Sequence, residues 1–288
     1  MSLRELDLRT SFNYIACFLT LDCNIGCDYC INSHGGSGRK EFRILSGEEW
    51  VEAINRITAT KDLPVTLQGG EPSLHPDFIY IIRNIKSDLS IDILTNLSFD
   101  VDKFINEVDP SRLSRKAAYS NIRVSYHPAY MELDVLAKKV LKMQEAGFSV
   151  GIYGILHPTI KDEVLAAKEI CLKKGIDFRT KEFLGVYNGQ LYGTYRYEGA
   201  VGSIERKKCL CRVSEFIVGP DGDIFRCHHD LYKGLPSVGS MLDPGLEINN
   251  EFRECAAFGD CNPCDIKVKT NRFQEFGYTS AQITGISG

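Results

Sequence analysis

The sequence predicts an α/β protein in which a partial (β/α)6 TIM-like barrel is followed by a small Cys-rich C-terminal extension. From residue 14 to about 183, short apolar or β-branched runs alternate with amphipathic stretches, as in repeated βα units around a parallel sheet. That periodicity then stops, and six of the eleven cysteines fall within residues 209–264. We therefore expect a barrel over 1–185, a linker over 186–208 and a metal-dependent unit over 209–288.

Six runs predict the barrel strands, and each ends where a loop with polar or Gly residues begins. They are Tyr14–Leu21, Pro64–Gln68, Ile91–Leu94, Ile122–Tyr126, Val150–Leu156 and Asp177–Phe183. Helices are predicted between them at Ser46–Ile57, Asp134–Ala146 and Lys161–Lys174. The first begins with a Ser cap, and the other two end before a Gly. Beyond the barrel, Pro220-Asp221-Gly222 predicts the turn of a hairpin over Phe216–Phe225.

Charge and hydropathy limit the possible binding partners of the protein and its cellular compartment. The chain has 34 basic and 38 acidic residues, and no stretch concentrates Lys and Arg. We therefore expect no nucleic acid and no anionic membrane surface as a partner. Charged residues interrupt any N-terminal signal segment, and there is no apolar run of 18 residues, so we predict a cytoplasmic protein. In a reducing compartment, clustered cysteines favour metal ligation over disulfides, whereas the isolated Cys17 and Cys171 are predicted core residues.

Three cysteines directly follow the first predicted strand. Cys23, Cys27 and Cys30 have the spacing C-x3-C-x2-C, which lets a short loop curl around one corner of an iron–sulfur cubane. Three ligands leave one iron open to bind another molecule, whereas electron-transfer clusters usually have four Cys. The alternative is a zinc site, which requires a fourth ligand such as His34.

Polar clusters also follow the next three strands. They are Gly69-Gly70-Glu71-Pro72, Thr95-Asn96 and Ser125-Tyr126-His127. In parallel barrels the chemistry lies at the carboxyl ends of the strands. We therefore expect these groups to share one rim with the cysteine loop, where His127 either meets the substrate or caps the rim.

With these motifs, residues 12 to 185 resemble the radical S-adenosylmethionine (radical SAM) superfamily. The family has C-x3-C-x-aromatic-C after its first strand and GGE after its second, and both motifs are present here. The resemblance implies that Tyr29 lies near the adenine, and that Gly69, Gly70 and Glu71 contact the methionyl amino group through their backbone. It assigns Ser125, and less directly Asn96, to the ribose or the methionyl carboxylate. The family's strand-5 motif is only partly matched, by Gly151-Ile152-Tyr153-Gly154.

The resemblance also implies the cofactors and an electron donor. A 4Fe–4S cluster on Cys23, Cys27 and Cys30 would bind SAM and cleave it to methionine and a 5′-deoxyadenosyl radical, which abstracts hydrogen from an unactivated C–H bond. Flavodoxin or ferredoxin would supply the electron.

The second cysteine group resembles the SPASM and Twitch extensions of radical SAM enzymes. These have a Cys before a hairpin, then G-x4-C, met by Gly222 to Cys227, and C-x2-C, met by Cys261 to Cys264. The resemblance implies one auxiliary 4Fe–4S cluster. Its first ligand is either Cys209 or Cys211, which both have an allowed spacing, and Cys255 is left over. A structural zinc is the alternative.

For the substrate, we predict a small polar molecule such as a sugar, a cyclitol or a nucleoside-like compound, because the barrel starts almost at the N-terminus. The reaction would be an oxidation (dehydrogenation) or an epimerisation assisted by the auxiliary cluster, which makes the chain a radical SAM oxidoreductase. One alternative is a peptide-modifying enzyme that forms crosslinks or epimerises residues. Another is a non-catalytic zinc or iron–sulfur protein.

Two further groups of side chains are candidates for supporting roles. His228 and His229 follow Cys227 directly, and adjacent side chains rarely face one site, so we predict contacts behind the metal ligands or at the surface. The region around Tyr187–Tyr197 is rich in Tyr and in Arg or Lys. This composition predicts that the region forms either one wall of a substrate pocket or an exposed hairpin.

Overall fold

The computed structural model describes residues 3–32, 41–269 and 277–287 of the chain. His34, the alternative zinc ligand, lies outside the described residues. The strands are β1 (Leu6–Asp7), β2 (Tyr14–Thr20), β3 (Ile57–Thr58), β4 (Val65–Gly69), β5 (Ile91–Thr95), β6 (Ile122–Tyr126), β7 (Val150–Leu156), β8 (Phe178–Glu182), β9 (Gly185–Tyr187), β10 (Gln190–Tyr192), β11 (Lys207–Val213), β12 (Glu215–Val218), β13 (Asp223–Phe225), β14 (Gly239–Ser240), β15 (Arg253–Phe258) and β16 (Ala281–Ser287). The helices are α1 (Gly47–Asn55), α2 (Phe78–Asn84), α3 (Val101–Glu107), α4 (Leu133–Glu145), α5 (Lys161–Lys173), α6 (His228–Tyr232) and α7 (Pro263–Ile266).

A nine-stranded sheet with the order β14-β13-β12-β2-β4-β5-β6-β7-β8 forms the centre of the molecule. The strands from β2 to β8 are parallel neighbours, and helices connect most of them. All six predicted strands are present, and β6 and β7 match their predictions residue for residue. Within the described residues, β14 and β8 lie at the two edges of this sheet, and the predicted partial barrel is confirmed.

Local sequence signals explain where the predicted helices begin and end. Ser46 caps α1, and its hydroxyl and the Glu49 carboxylate form a reciprocal capping box. Gly147 and Gly175 follow α4 and α5 with φ of +91° and +78°, a conformation that glycine adopts without steric cost. The three predicted helices are confirmed to within two residues at each end. Cys17 and Cys171 are fully buried, as predicted for core residues.

Side chains on β6 alternate between two environments. Ile122 and Val124 belong to the main hydrophobic core, whereas Arg123 points into the barrel, where it lies close to Tyr14 on β2. Arg123 and Arg115 both pair with the fully buried Asp92. The barrel interior is therefore polar at its floor as well as at its rim.

The C-terminal extension joins the barrel sheet directly. The predicted hairpin is confirmed as β12 and β13, and β12 also pairs in parallel with β2. The sheet therefore continues past the predicted boundary at residue 209. A separate three-stranded sheet, with the order β15-β11-β16, carries several of the C-terminal cysteines, and the predicted linker contains the β9–β10 hairpin. Among the described residues, no helix has the length and apolar character needed to span a membrane.

Candidate active site

The three N-terminal cysteines face one cavity of about 270 Å³ at the carboxyl ends of the barrel strands. Burial raises the pKa of Cys27 to about 11, and the nearby Cys30 and Cys23 thiols add to the rise. Ionised thiols this close repel one another unless a cation compensates their charge. Three soft ligands that line one cavity fit a 4Fe–4S cluster that has one free coordination position.

Two glycines bring β4 against the start of the cysteine loop. A Cβ on Gly69 would lie 2.0 Å from the Thr20 carbonyl oxygen, and one on Gly70 would lie 2.1 Å from the Asp22 oxygen. The backbone N–H groups of Gly70 and Glu71 donate to those same oxygens, at 2.9 and 2.8 Å. Only glycine permits this approach, which fixes the path of the chain into the loop.

The Glu71 side chain braces the rim. It is 1% exposed, and its Oε1 accepts hydrogen bonds from Ser73 and from the Thr95 hydroxyl, while its Oε2 accepts one from the Asn96 N–H at 2.6 Å. The Asn96 side chain in turn donates to Asn24 Oδ1 in the cysteine loop, at 2.7 Å. Glu71 and Asn96 therefore position the loop, a role that the sequence motif does not reveal.

Tyr29 stacks on two histidine rings. These are His127 and His157, with ring centroids 5.8 and 5.1 Å away and interplanar angles of 26° in both cases. Phe183 and Tyr187 pack edge-on against His157. His157 was not among the predicted site residues, although it follows β7 directly at the same rim.

The far wall of the cavity combines the end of the barrel with the C-terminal extension. Its lining residues include Lys181, Phe183, Glu215, His228, Cys264 and Lys269. Ser125 and His127 also line the cavity, so the predicted rim clusters and Cys264 of the second cysteine group share one space. Of the tyrosine-rich region, Tyr187 and Tyr192 pack behind this wall on His157 and Phe183.

A buried polar network supports this wall. His228 Nδ1 lies 2.7 Å from Asp265 Oδ1, and Lys269 Nζ donates to Glu215 Oε1 at 3.0 Å. Burial alone would lower the pKa of His228, but the Asp265 and Glu215 carboxylates outweigh it and raise the pKa. Both His228 and His229 are buried, which excludes the surface alternative, and His228 lines the large cavity itself.

The C-terminal cysteines form a second group. Cys209 and Cys211 lie on β11, and Cys255 faces Cys209 across the β11–β15 pair. Cys211, Cys227 and Cys255 line a smaller cavity of about 90 Å³. Burial raises the pKa of Cys261 to about 12, with added repulsion from Asp265 and from Cys255 and Cys209. Crowded, buried thiols of this kind fit a thiolate-ligated metal centre.

Cys255 therefore belongs to the same group as the predicted ligands, although the spacing of the motif gave it no ligand role. Cys264, on α7, lines the large cavity instead. The C-terminal extension thus gathers six cysteines, two more than one 4Fe–4S cluster requires.

Comparison with known proteins supports this interpretation of the site. Residues 18–115 match the model of the Radical SAM superfamily. The GTP 3′,8-cyclase of Nautilia profundicola is 24% identical over 180 residues, which are 60% of this chain and 56% of that protein. The mycofactocin maturase MftC of Mycolicibacterium smegmatis is 18% identical over 301 residues, which are 85% of this chain and 74% of that protein. The chain thus spans just over half of the cyclase.

Solved structures show the same fold. Streptococcus suis SuiB bound to the precursor peptide SuiA superposes with a TM-score of 0.56 at 14% identity, over 82% of this chain and 64% of SuiB. Polyhistidine-tagged anSMEcpe with bound AdoMet gives 0.54 at 14% identity, over 81% of this chain and 78% of that one. The cysteine-rich extension fits an auxiliary-cluster domain. Residues 18–115 therefore form a radical SAM domain, and SAM with a 4Fe–4S cluster are the cofactors that such a domain implies.

Proposed function

We propose that Cys23, Cys27 and Cys30 hold the SAM-binding 4Fe–4S cluster, and that the enzyme abstracts hydrogen from a substrate bound in the large cavity. The observation that carries this proposal is that one cavity contains the three cysteines, the GGE motif and residues of the C-terminal extension. When bound, the cluster and SAM supply a 5′-deoxyadenosyl radical for this step.

The protein's own residues orient the cofactor and keep water away. In this proposal, Tyr29, Gly69, Gly70, Asn96 and Ser125 border SAM, and Glu71 contributes through its backbone. Its side chain is already occupied by Ser73, Thr95 and Asn96. The cavity is also lined by Phe18, Phe183 and Leu184, apolar side chains that shield a reactive radical from water.

We also propose that the C-terminal cysteines hold one auxiliary 4Fe–4S cluster. The predicted ligands are Cys209 or Cys211, together with Cys227, Cys261 and Cys264. Cys264 lines the same cavity as Cys23, Cys27 and Cys30, which supports an auxiliary cluster within reach of the substrate. A cluster placed there would accept the electron that the substrate radical loses together with a proton to solvent, and the net reaction would then be an oxidation. Flavodoxin or ferredoxin is the proposed donor to the first cluster.

Two substrate classes have support. A peptide is favoured because the similarity to MftC runs across both the barrel and the extension, and because SuiB, which shares the fold, was solved with a precursor peptide. A nucleotide-like molecule is favoured by the similarity to GTP 3′,8-cyclases and by Lys181 in the cavity wall. The relatives described above give no support to a sugar or cyclitol.

Deuterium transfer tests the reaction and the substrate class together. Anaerobically reconstituted protein should contain about eight iron atoms per chain and should release 5′-deoxyadenosine with SAM and dithionite. Deuterated GTP and deuterated precursor peptides from neighbouring genes are then supplied separately. The true substrate class transfers deuterium into 5′-deoxyadenosine. A colourless protein that contains only zinc would refute the enzymatic function.

A further inference from the structure

His127 makes a contact that the cofactor motifs do not account for. Its Nδ1 lies 3.3 Å from Cys27 Sγ and 3.0 Å from the Tyr29 hydroxyl oxygen. The ring is held in this place by stacking on Tyr29 and by the position of residue 127 directly after β6. One nitrogen of a rim histidine is therefore aimed at a sulfur of the cysteine loop.

The chemistry of a ligating cysteine fixes the direction of this contact. A thiolate that binds iron has no hydrogen and can only accept a hydrogen bond. The approach of Nδ1 to Cys27 Sγ is then attractive only when Nδ1 carries the hydrogen, which leaves Nε2 as the bare ring nitrogen in the neutral ring. The Tyr29 oxygen accepts a share of the same N–H, while its own hydroxyl hydrogen is donated to Cys27.

We propose that His127 donates its Nδ1–H to the sulfur of Cys27 and thereby raises the reduction potential of the SAM-binding cluster. This proposal rests on the proposed function, in which Cys27 is a cluster ligand. Reduction adds one negative charge, part of which resides on the sulfurs, so a donor at one sulfur stabilises the reduced state more than the oxidised one. Because His127 and Cys27 are at least half-buried, water screens the interaction only partly.

His157 provides a matched control in the same aromatic stack. It also stacks on Tyr29 with a 26° interplanar angle, but its Nδ1 is bonded to the Thr159 hydroxyl at 2.8 Å. Within the described ranges, no cysteine sulfur is hydrogen-bonded to His157. Replacing its ring should therefore disturb the stack without touching the cluster ligand.

The test is the midpoint potential of the SAM-binding cluster in the reconstituted full-length enzyme. This cluster is identified as the one whose EPR signal changes when SAM is added. His127→Phe keeps an aromatic ring against Tyr29 and removes the donor, whereas His127→Asn places an amide nitrogen near the position of Nδ1. We expect His127→Phe to reduce the equilibrium constant for reduction about tenfold, which is about 59 mV for one electron. His127→Asn and His157→Phe should titrate close to wild type.

Two results would overturn the proposal. One is a His127→Phe enzyme with full iron content and an unchanged midpoint potential. The other is an equal shift of the potential in His127→Phe and His127→Asn, which would mean that the shape of the ring, and not its hydrogen-bond donor, sets the potential. If His127→Phe loses its iron, His127→Gln takes its place, because its amide reaches toward the position of Nε2 and also lacks the donor at Nδ1. A wild-type protein without any SAM-responsive signal would instead refute the proposed function.

Discussion

Glu71→Gln tests the brace between the ends of β4 and β5. The carboxylate accepts from the backbone N–H of Ser73 at 3.1 Å and from that of Asn96 at 2.6 Å. A Gln amide has only one acceptor oxygen, so its NH2 group must face one of these two buried donors. An unsatisfied buried donor costs about 1–3 kcal/mol, and the loss of a charge-assisted bond adds to this cost. We therefore expect the free energy of unfolding to fall by about 2–3 kcal/mol. For a chain of this size, that lowers Tm by roughly 4–12 °C.

The assay is thermal unfolding of the reduced apo-protein followed by circular dichroism, because bound clusters would make unfolding depart from two states. Glu169→Gln is the matched control, since Glu169 is an exposed residue of α5. Its Tm should stay within about 2 °C of wild type. If the Tm of Glu71→Gln equals that of this control, the Glu71 side chain does not stabilise the rim.

Three other substitutions separate the parts of the site. Gly70→Ala places a Cβ 2.1 Å from the Asp22 oxygen, so it should displace the cysteine loop and lose about half of the iron; full iron content by chemical assay would contradict this. Cys227→Ala should lose about four iron atoms and stop substrate conversion while 5′-deoxyadenosine still forms, and unchanged conversion by mass spectrometry would exclude an auxiliary role. Asp92→Asn leaves two buried arginines without a carboxylate and should lower the free energy of unfolding in urea by about 3–5 kcal/mol, whereas the surface control Asp102→Asn should cost under about 1 kcal/mol; equal losses would contradict the buried pairing.

The barrel strands were predictable because each one is encoded locally, by an apolar run and a polar stop. The pairing of β12 with β2 was not predictable in this way, since residues 215–218 lie about two hundred positions from their partners Tyr14 to Cys17. Hydrophobic periodicity identifies a strand but does not identify its neighbour.

In the candidate site, too, local features were predictable and long-range contacts were not. The two cysteine groups were found from spacing, which is a local property of the chain. The bonds from Glu71 to Asn96 and from His228 to Asp265 join elements 25 and 37 residues apart, and no motif encodes them. The role of the Glu71 side chain was missed for this reason, because the family motif draws attention to its backbone alone.

The most direct test of the central claim is 5′-deoxyadenosine formation by a variant in which Cys23, Cys27 and Cys30 are all replaced by Ala. Wild-type protein and the triple variant are reconstituted anaerobically, and the product is measured by mass spectrometry beside the iron content. We predict that the variant retains about four iron atoms in the C-terminal extension and forms no 5′-deoxyadenosine. Product formation at the wild-type rate in the variant would contradict the claim that these three cysteines hold the SAM-binding cluster.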